Sequence, residues 1–329
     1  ASQSTAATAP RQPRRRGGRR AASASHSAAP RPASASGSTL SVRIQSASAS
    51  SAPHAPAHAA ARGGAIVSGA ADSARSRSVG SLRRSPMPSS QHPFWLTSLT
   101  WPRVRAHLER DRRLLLPVGA CEQYGTHLPL GAGTRIAEAL ADTLSQEFAV
   151  LRAPTLPYGI NFASERPYAG TASLRAKTLH RVLNDLLAAW ERHGFEEFIL
   201  LTAQSYRPHA EAIATVAIDR GRLRVIDTLG INLAHLLDEP VHSQHAGEVE
   251  TSLLLHLHPE LVHLERAEDC PPPPPRPAWR GQPQMTRLPV ASTGAVGHPS
   301  RASAELGERM YGYILQKIRE KVFGAAPEA

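Results

Sequence analysis

Five residues within one short stretch offer the groups from which chemistry is made: Glu122, Gln123, Tyr124, Thr126 and His127. They follow an apolar run, Leu114, Leu115, Leu116, Pro117 and Val118, that reads as a short buried strand broken at Gly119. Beyond them Thr134, Ile136, Ala137, Leu140 and Ala141 recur at helical spacing. The order is strand, polar loop, helix. In open parallel α/β sheets, ligands bind beyond the carboxyl ends of the strands, so such a loop is where binding or catalysis is expected. The plain alternative is a strand-to-helix loop that is polar only because water covers it.

Two further stretches carry imidazole beside carboxylate. His245-Ala246-Gly247-Glu248 leads into a helix bearing Val249, Leu253, Leu254 and Leu257. His209-Ala210-Glu211 falls inside a helix expected over about 208–219. Helix positions two apart point to different faces, so His209 and Glu211 are expected to be solvated rather than to act together. His180, His193, His256, His258 and His263 read as surface or helix-end residues. Cys121 and Cys270 are too few for a disulfide framework, and their spacing matches no metal motif.

The elements that must position these groups alternate. Leu99 and Thr100 lead into a helix over 101–108, followed by the Leu114 strand and a helix over about 134–147. Residues 148–154 read as a second strand, and 155–174 as a long loop punctuated by Pro157, Gly159, Pro167 and Gly170. Leu179, Val182, Leu183, Leu186, Leu187 and Trp190 form a helical stripe that Gly194 stops. Strands over 197–201 and 223–226 flank the helix expected over 208–219, and a final helix spans about 303–322. This alternation predicts an α/β fold with a mostly parallel sheet covered on both faces. The prolines at 271–275 read as a solvated polyproline segment.

Residues 1–86 differ in kind. They hold no Trp, Tyr, Phe or Cys, and thirteen arginines against a single acid, Asp72. Such a leader buries too little apolar surface to offset its ordering entropy and is expected to be disordered. The whole chain carries a net charge of +11, so the remainder is close to neutral and implies no general nucleic-acid surface. The leader itself allows three readings: a transit-like peptide, a basic arm touching nucleic acid nonspecifically, or an over-extended start preceding Met87, the first methionine. The last is preferred, with residues 1–86 dispensable and one domain over about 93–325. No apolar run is long enough for a membrane span, and a reducing, cytoplasmic setting is expected.

Taken together, PVGACEQYGTHLPLGAGT, YAGTASL, HGFEEFILLTAQSYR and HAGEVETSLLL resemble, in order and spacing, the creatininase family of metal-dependent amidohydrolases. TGAVGHPSRASAELGERM is similar to that family's C-terminal segment, and the resemblance spans about 99–322. It implies a layered α/β/α fold with two divalent metals, zinc or manganese, at the strand ends. These would activate water to open a cyclic amide or cleave a formamide-type C–N bond. It also implies homo-oligomers, for which Phe162 and Tyr168 in the long loop are candidate exposed interface residues, and a small-molecule ligand.

Carried over position by position, Glu122 and Glu248 match the family's metal ligands. His245 and His127 match residues expected to serve catalysis. Three positions depart: Tyr124 stands for a histidine, Gly133 for the bridging aspartate, and Gln204 for the histidine of the NGH loop. Glycine supplies no ligand, and a phenol or neutral amide is a poor donor beside imidazole or carboxylate. The expectation is therefore a family member with impaired hydrolysis and weak or absent metal. The alternative is an active amidohydrolase with a one-metal or metal-free site. Restoring Tyr124→His, Gly133→Asp and Gln204→His should raise metal affinity, with a positive φ at Gly133 as the expected obstacle.

Overall fold

The computed structural model describes residues 42–46, 93–204, 206–238, 244–271 and 292–324. Its sheet has the order β1-β5-β4-β2-β3, made from Val42–Ser46 (β1), Arg113–Pro117 (β2), Leu151–Arg152 (β3), Glu197–Thr202 (β4) and Arg222–Asp227 (β5). β2, β3, β4 and β5 are parallel, and β1 joins β5 antiparallel.

Alternation along the strands sorts the core into two layers. Leu115, Ile199, Leu201 and Ile226 face one way, onto Ile136, Leu140 and Leu144 of α2 (Ala132–Phe148), with Leu253 of α5 (Glu248–Leu257) and Met310 and Ile314 of α6 (Ala304–Ile318). Leu114, Leu116, Phe198, Leu200, Leu223 and Val225 face the other way. They meet Leu179, Leu183 and Leu187 of α3 (Ala176–Arg192) and Ile213 of α4 (Arg207–Ala214). Helices on both faces of a mostly parallel sheet make the expected α/β/α sandwich. The opening helix α1 (Trp101–Leu108) precedes it, with Thr100 as N-cap. No described helix is long and apolar enough to cross a membrane.

Several boundaries differ from expectation, each for a local reason. Phe148 closes α2 rather than opening a strand. Ala149 takes a left-handed conformation (φ 51°) there, leaving only Leu151–Arg152 to pair with β2. The helix after β4 stops at Ala214, because the backbone of Ala217 is held by Asn184 Oδ1 and those of Asp219, Arg220 and Gly221 by the Glu191 carboxylate. The leader contributes β1, contrary to the expectation of disorder for those five residues. They lie in TLSVRIQS, where branched apolar residues do alternate with polar ones, as strands require. The rest of residues 1–86 and the prolines at 272–275 lie outside the described residues.

Candidate functional site

β2 and β4 run side by side, so the loops leaving their carboxyl ends meet. Thr134 fastens this corner: its hydroxyl accepts from Ala120 N–H (3.1 Å) and donates to the Ala120 carbonyl (2.9 Å). Gly119 is what lets α2 come so close, because a Cβ there would overlap the Thr134 side chain. Gln123 fixes the next stretch of the loop, its backbone N–H donating to Thr171 Oγ1 (3.0 Å) and its side-chain amide to the Gly294 carbonyl (2.9 Å).

Around this corner the structure gathers Glu122, Tyr124, Gln204 and His245, and adds two residues that sequence reasoning did not single out, Glu165 and Glu250. All six are buried. Tyr124 stacks on the His245 ring (4.7 Å between centroids, 27°) and donates its hydroxyl to Gln204 Oε1 (3.2 Å). That orientation leaves the Gln204 amide to donate to Glu122. His245 Nε2 lies 2.8 Å from the Gln123 carbonyl, which can only accept, so Nε2 carries the proton. Glu165 Oε1 is 3.3 Å from the same nitrogen, and Glu165 Oε2 accepts from Phe162 N–H (3.2 Å).

Burial dominates the electrostatics. It pushes the Glu122 carboxyl up to about 8, with the Glu165 charge adding to the rise and His245 and the Gln204 amide opposing it. Burial likewise raises Glu165 to about 7, against its hydrogen bonds. It raises Glu250 too, and lifts Tyr124 well above the ordinary phenol range. Two carboxyls in contact inside a protein cannot both ionise cheaply. Burial and this contact together favour a proton on the Glu122–Glu165 pair. Glu122 Oε2 and Glu165 Oε1 are buried and accept no well-aligned hydrogen bond.

The remaining sequence candidates lie as follows. Glu248 is buried in the first turn of α5. Two residues on, the Glu250 carboxylate acts on Tyr124, Glu165 and His245. His127 is a buried pin between the β2 loop and α5, its Nε2 3.0 Å from Thr251 Oγ1, and desolvation lowers its pKa. His209 corrects the expectation of a solvated residue. It is wholly buried, accepts Ile160 N–H at Nδ1 (3.2 Å) and therefore donates from Nε2 to Thr202 Oγ1 (3.1 Å), and burial drives its pKa down to about 4. Glu211 is exposed, in an ion pair with Arg207. The expected exposure of Phe162 is also corrected: it is buried and packs on Tyr206 within its own chain (4.1 Å).

Gly133 sits inside α2 and is not among the positive-φ glycines, so backbone conformation is not the obstacle to a side chain there. Space is: a Cβ would overlap the Tyr124 hydroxyl and stand 2.7 Å from the Ala203 carbonyl oxygen. Among the described residues no group of three or more His, Cys, Asp or Glu is placed to hold a metal ion.

A doubly covered parallel sheet with carboxylate, imidazole and amide groups collected at its strand ends defines the class, and comparison supplies the family. The creatininase family model, described as creatinine amidohydrolase, matches residues 97–322, and the chain belongs to that family. It is 28% identical over 249 residues to the creatinine amidohydrolase of Pseudomonas putida, covering 68% of this chain and 94% of the relative. It is also 28% identical over 232 residues to a mycofactocin precursor peptide peptidase of Mycobacterium tuberculosis (strain CDC 1551 / Oshkosh), covering 65% and 86%. A mutant creatininase of zinc–zinc type superposes with a TM-score of 0.59 at 28% identity, covering 69% of this chain and 98% of that one. A manganese creatininase gives 0.57 at 26%, with the same coverage.

Proposed function

We propose that this chain is a creatininase-family protein in which metal-dependent hydrolysis of C–N bonds has been lost, the old strand-end site surviving as a closed polar core in a cytoplasmic, self-associating protein. The observation that carries this reading is the fate of position 133. The family's bridging carboxylate has no counterpart in glycine, and the place a side chain would take lies against the Tyr124 hydroxyl. A two-metal centre needs several anionic or imidazole donors, one of them bridging. Glu122 and Glu248 are the matching donors that remain, while Tyr124 and Gln204 bond to each other. These residues do not fit a pair of divalent cations, whose mutual repulsion would lack the bridging charge.

A second reading rests on the Glu122–Glu165 pair. Two buried carboxyls holding one proton can act as acid and base without metal, so an amide hydrolase of altered mechanism is the alternative. One experiment separates the two. Purified full-length protein is analysed for zinc and manganese, then assayed with creatinine and with formamides before and after chelation. The expected result is well under one metal per chain and no turnover. Stoichiometric metal that survives dialysis against a chelator would overturn the proposal, and turnover that chelation leaves intact would establish the second reading.

A further inference from the structure

The three positions at which this chain departs from the family pattern, 124, 133 and 204, are not scattered. Tyr124 touches Gln204 through its hydroxyl, and the same hydroxyl stands where a Cβ on residue 133 would have to go. That Cβ would also lie 3.5 Å from Gln204 Oε1. Tyr124 is 1% exposed and Gln204 4%, so neither can swing into solvent to make room. The Tyr124 ring is held from its other side by the His245 imidazole, itself tied to the Gln123 carbonyl.

We infer that Tyr124, Gly133 and Gln204 are one interlocked unit, in which the phenol is the space-filling replacement for the side chain that residue 133 lacks. The inference rests on the proposed loss of the metal site but goes further than a count of ligands. Ligands lost one at a time would leave a hollow, hydrated pocket. Here the place of a residue-133 Cβ is taken by the Tyr124 hydroxyl, and the polar atoms are bonded in sequence: Tyr124 hydroxyl to Gln204 carbonyl oxygen, and Gln204 amide to Glu122 carboxyl. The Tyr124–Gln204 hydrogen bond ties the β2 loop to the end of β4, and the Tyr124 hydroxyl packs against Gly133 in the first turn of α2. Glycine at 133 is then a requirement set by tyrosine at 124. The Ala203 carbonyl, 2.7 Å from the would-be Cβ, places the first turn of α2 directly against the end of β4. Placing aspartate at 133 while Tyr124 remains must push that helix outward.

The test is a double-mutant cycle on the full chain, read as melting temperature. Gly133→Ala, which adds a single methyl group, is made in the wild type and again in Tyr124→Phe, which removes the hydroxyl alone. In the wild type the methyl group should lower the midpoint by about 5 °C, as overpacking a closed core does. In the Tyr124→Phe background the same methyl should cost about half as much, the Ala203 carbonyl supplying the rest. Equal cost in both backgrounds would overturn the interlock. If Gly133→Ala yields no folded protein, Tyr124→Ala is combined with it: recovery of soluble, cooperatively melting protein supports the unit, and absence of recovery overturns it. The metal content of the wild type is a separate reading. Bound metal would remove the proposed function whatever the cycle shows, and a failed cycle in metal-free protein would remove only the interlock.

Discussion

Arg152 and Glu122 are both almost wholly buried, 2% and 1% exposed, yet their surroundings differ in kind. Around Arg152 the charges are opposite. Asp142 Oδ1 is 2.8 Å from its Nε and Glu138 Oε1 3.8 Å from its Nη2. Its Nη1 donates to the Ala153 carbonyl (3.0 Å), and the guanidinium lies 4.4 Å from the Trp95 ring centroid. Trp95 Nε1 donates to the same Asp142 oxygen (3.0 Å). Around Glu122 the ionisable neighbours are a second acid, Glu165, and the His245 imidazole, with Glu250 acting in turn on Glu165 and His245. The first region meets the cost of burial by pairing, the second by taking up protons. Ion pairing of the first kind serves structure. A gathering of acids that is buried at the cost of taking up protons adds nothing to stability at neutral pH.

The largest effect expected from breaking this contrast lies at Arg152. Asp142→Ala leaves a buried guanidinium with its nearest counter-charge gone, a change that costs about 3–5 kcal/mol in comparable cases. In a domain of this size that is a fall in melting temperature of about 10 °C. A fall of only a degree or two in calorimetry would mean that Glu138 alone suffices.

A smaller, pH-dependent effect is expected at the acid cluster. Glu122 and Glu165 are raised to about 8 and about 7 from an ordinary 4.5, so the folded chain keeps protons that the unfolded chain releases. Their contribution to stability is complete below about pH 4.5 and declines as the pH climbs through 7 to 8. Each proton is worth about 1.4 kcal/mol per pH unit. Glu165→Gln removes one titrating partner and should cut the loss of melting temperature between pH 5 and 8 by roughly two fifths. An unchanged slope would place the titrating groups elsewhere.

The smallest change sharpens the structural side of the comparison. Trp95→Phe keeps a ring over Arg152 but deletes the indole donor to Asp142, and should cost about 1 kcal/mol. A loss as large as that of Asp142→Ala would show that the indole, not the carboxylate, holds the arginine.

Much of the architecture was legible because periodicity survives in the sequence. The stripe from Leu179 to Trp190 and the run Leu114–Leu116 are read directly as helix and strand, and both are found so. The end of α2 was not legible, since a left-handed alanine at 149 gives no glycine to mark it. In the site, Glu122, Tyr124, Gln204 and His245 stand in recognisable stretches and do come together. Glu165 lies in a loop with no period, so nothing in its neighbours announces a carboxylate that folds back beneath His245. Burial was the harder quantity. His209 sits in a short helix whose pattern does not tell which face is covered, and the covering chain at Ile160 is remote in sequence.

The strand Val42–Ser46 has a consequence of a kinetic kind. Its partner β5 lies far along the chain, so this pairing closes the longest loop in the sheet and belongs among the slowest contacts to form. Being short and at the margin, it is also among the first to open. While it is open, β5 presents a row of unpaired amides and carbonyls, the surface on which strands of other chains add. Residues 42–46 thus cover the β5 edge, and that edge is open longest during synthesis and refolding, before the pairing has formed.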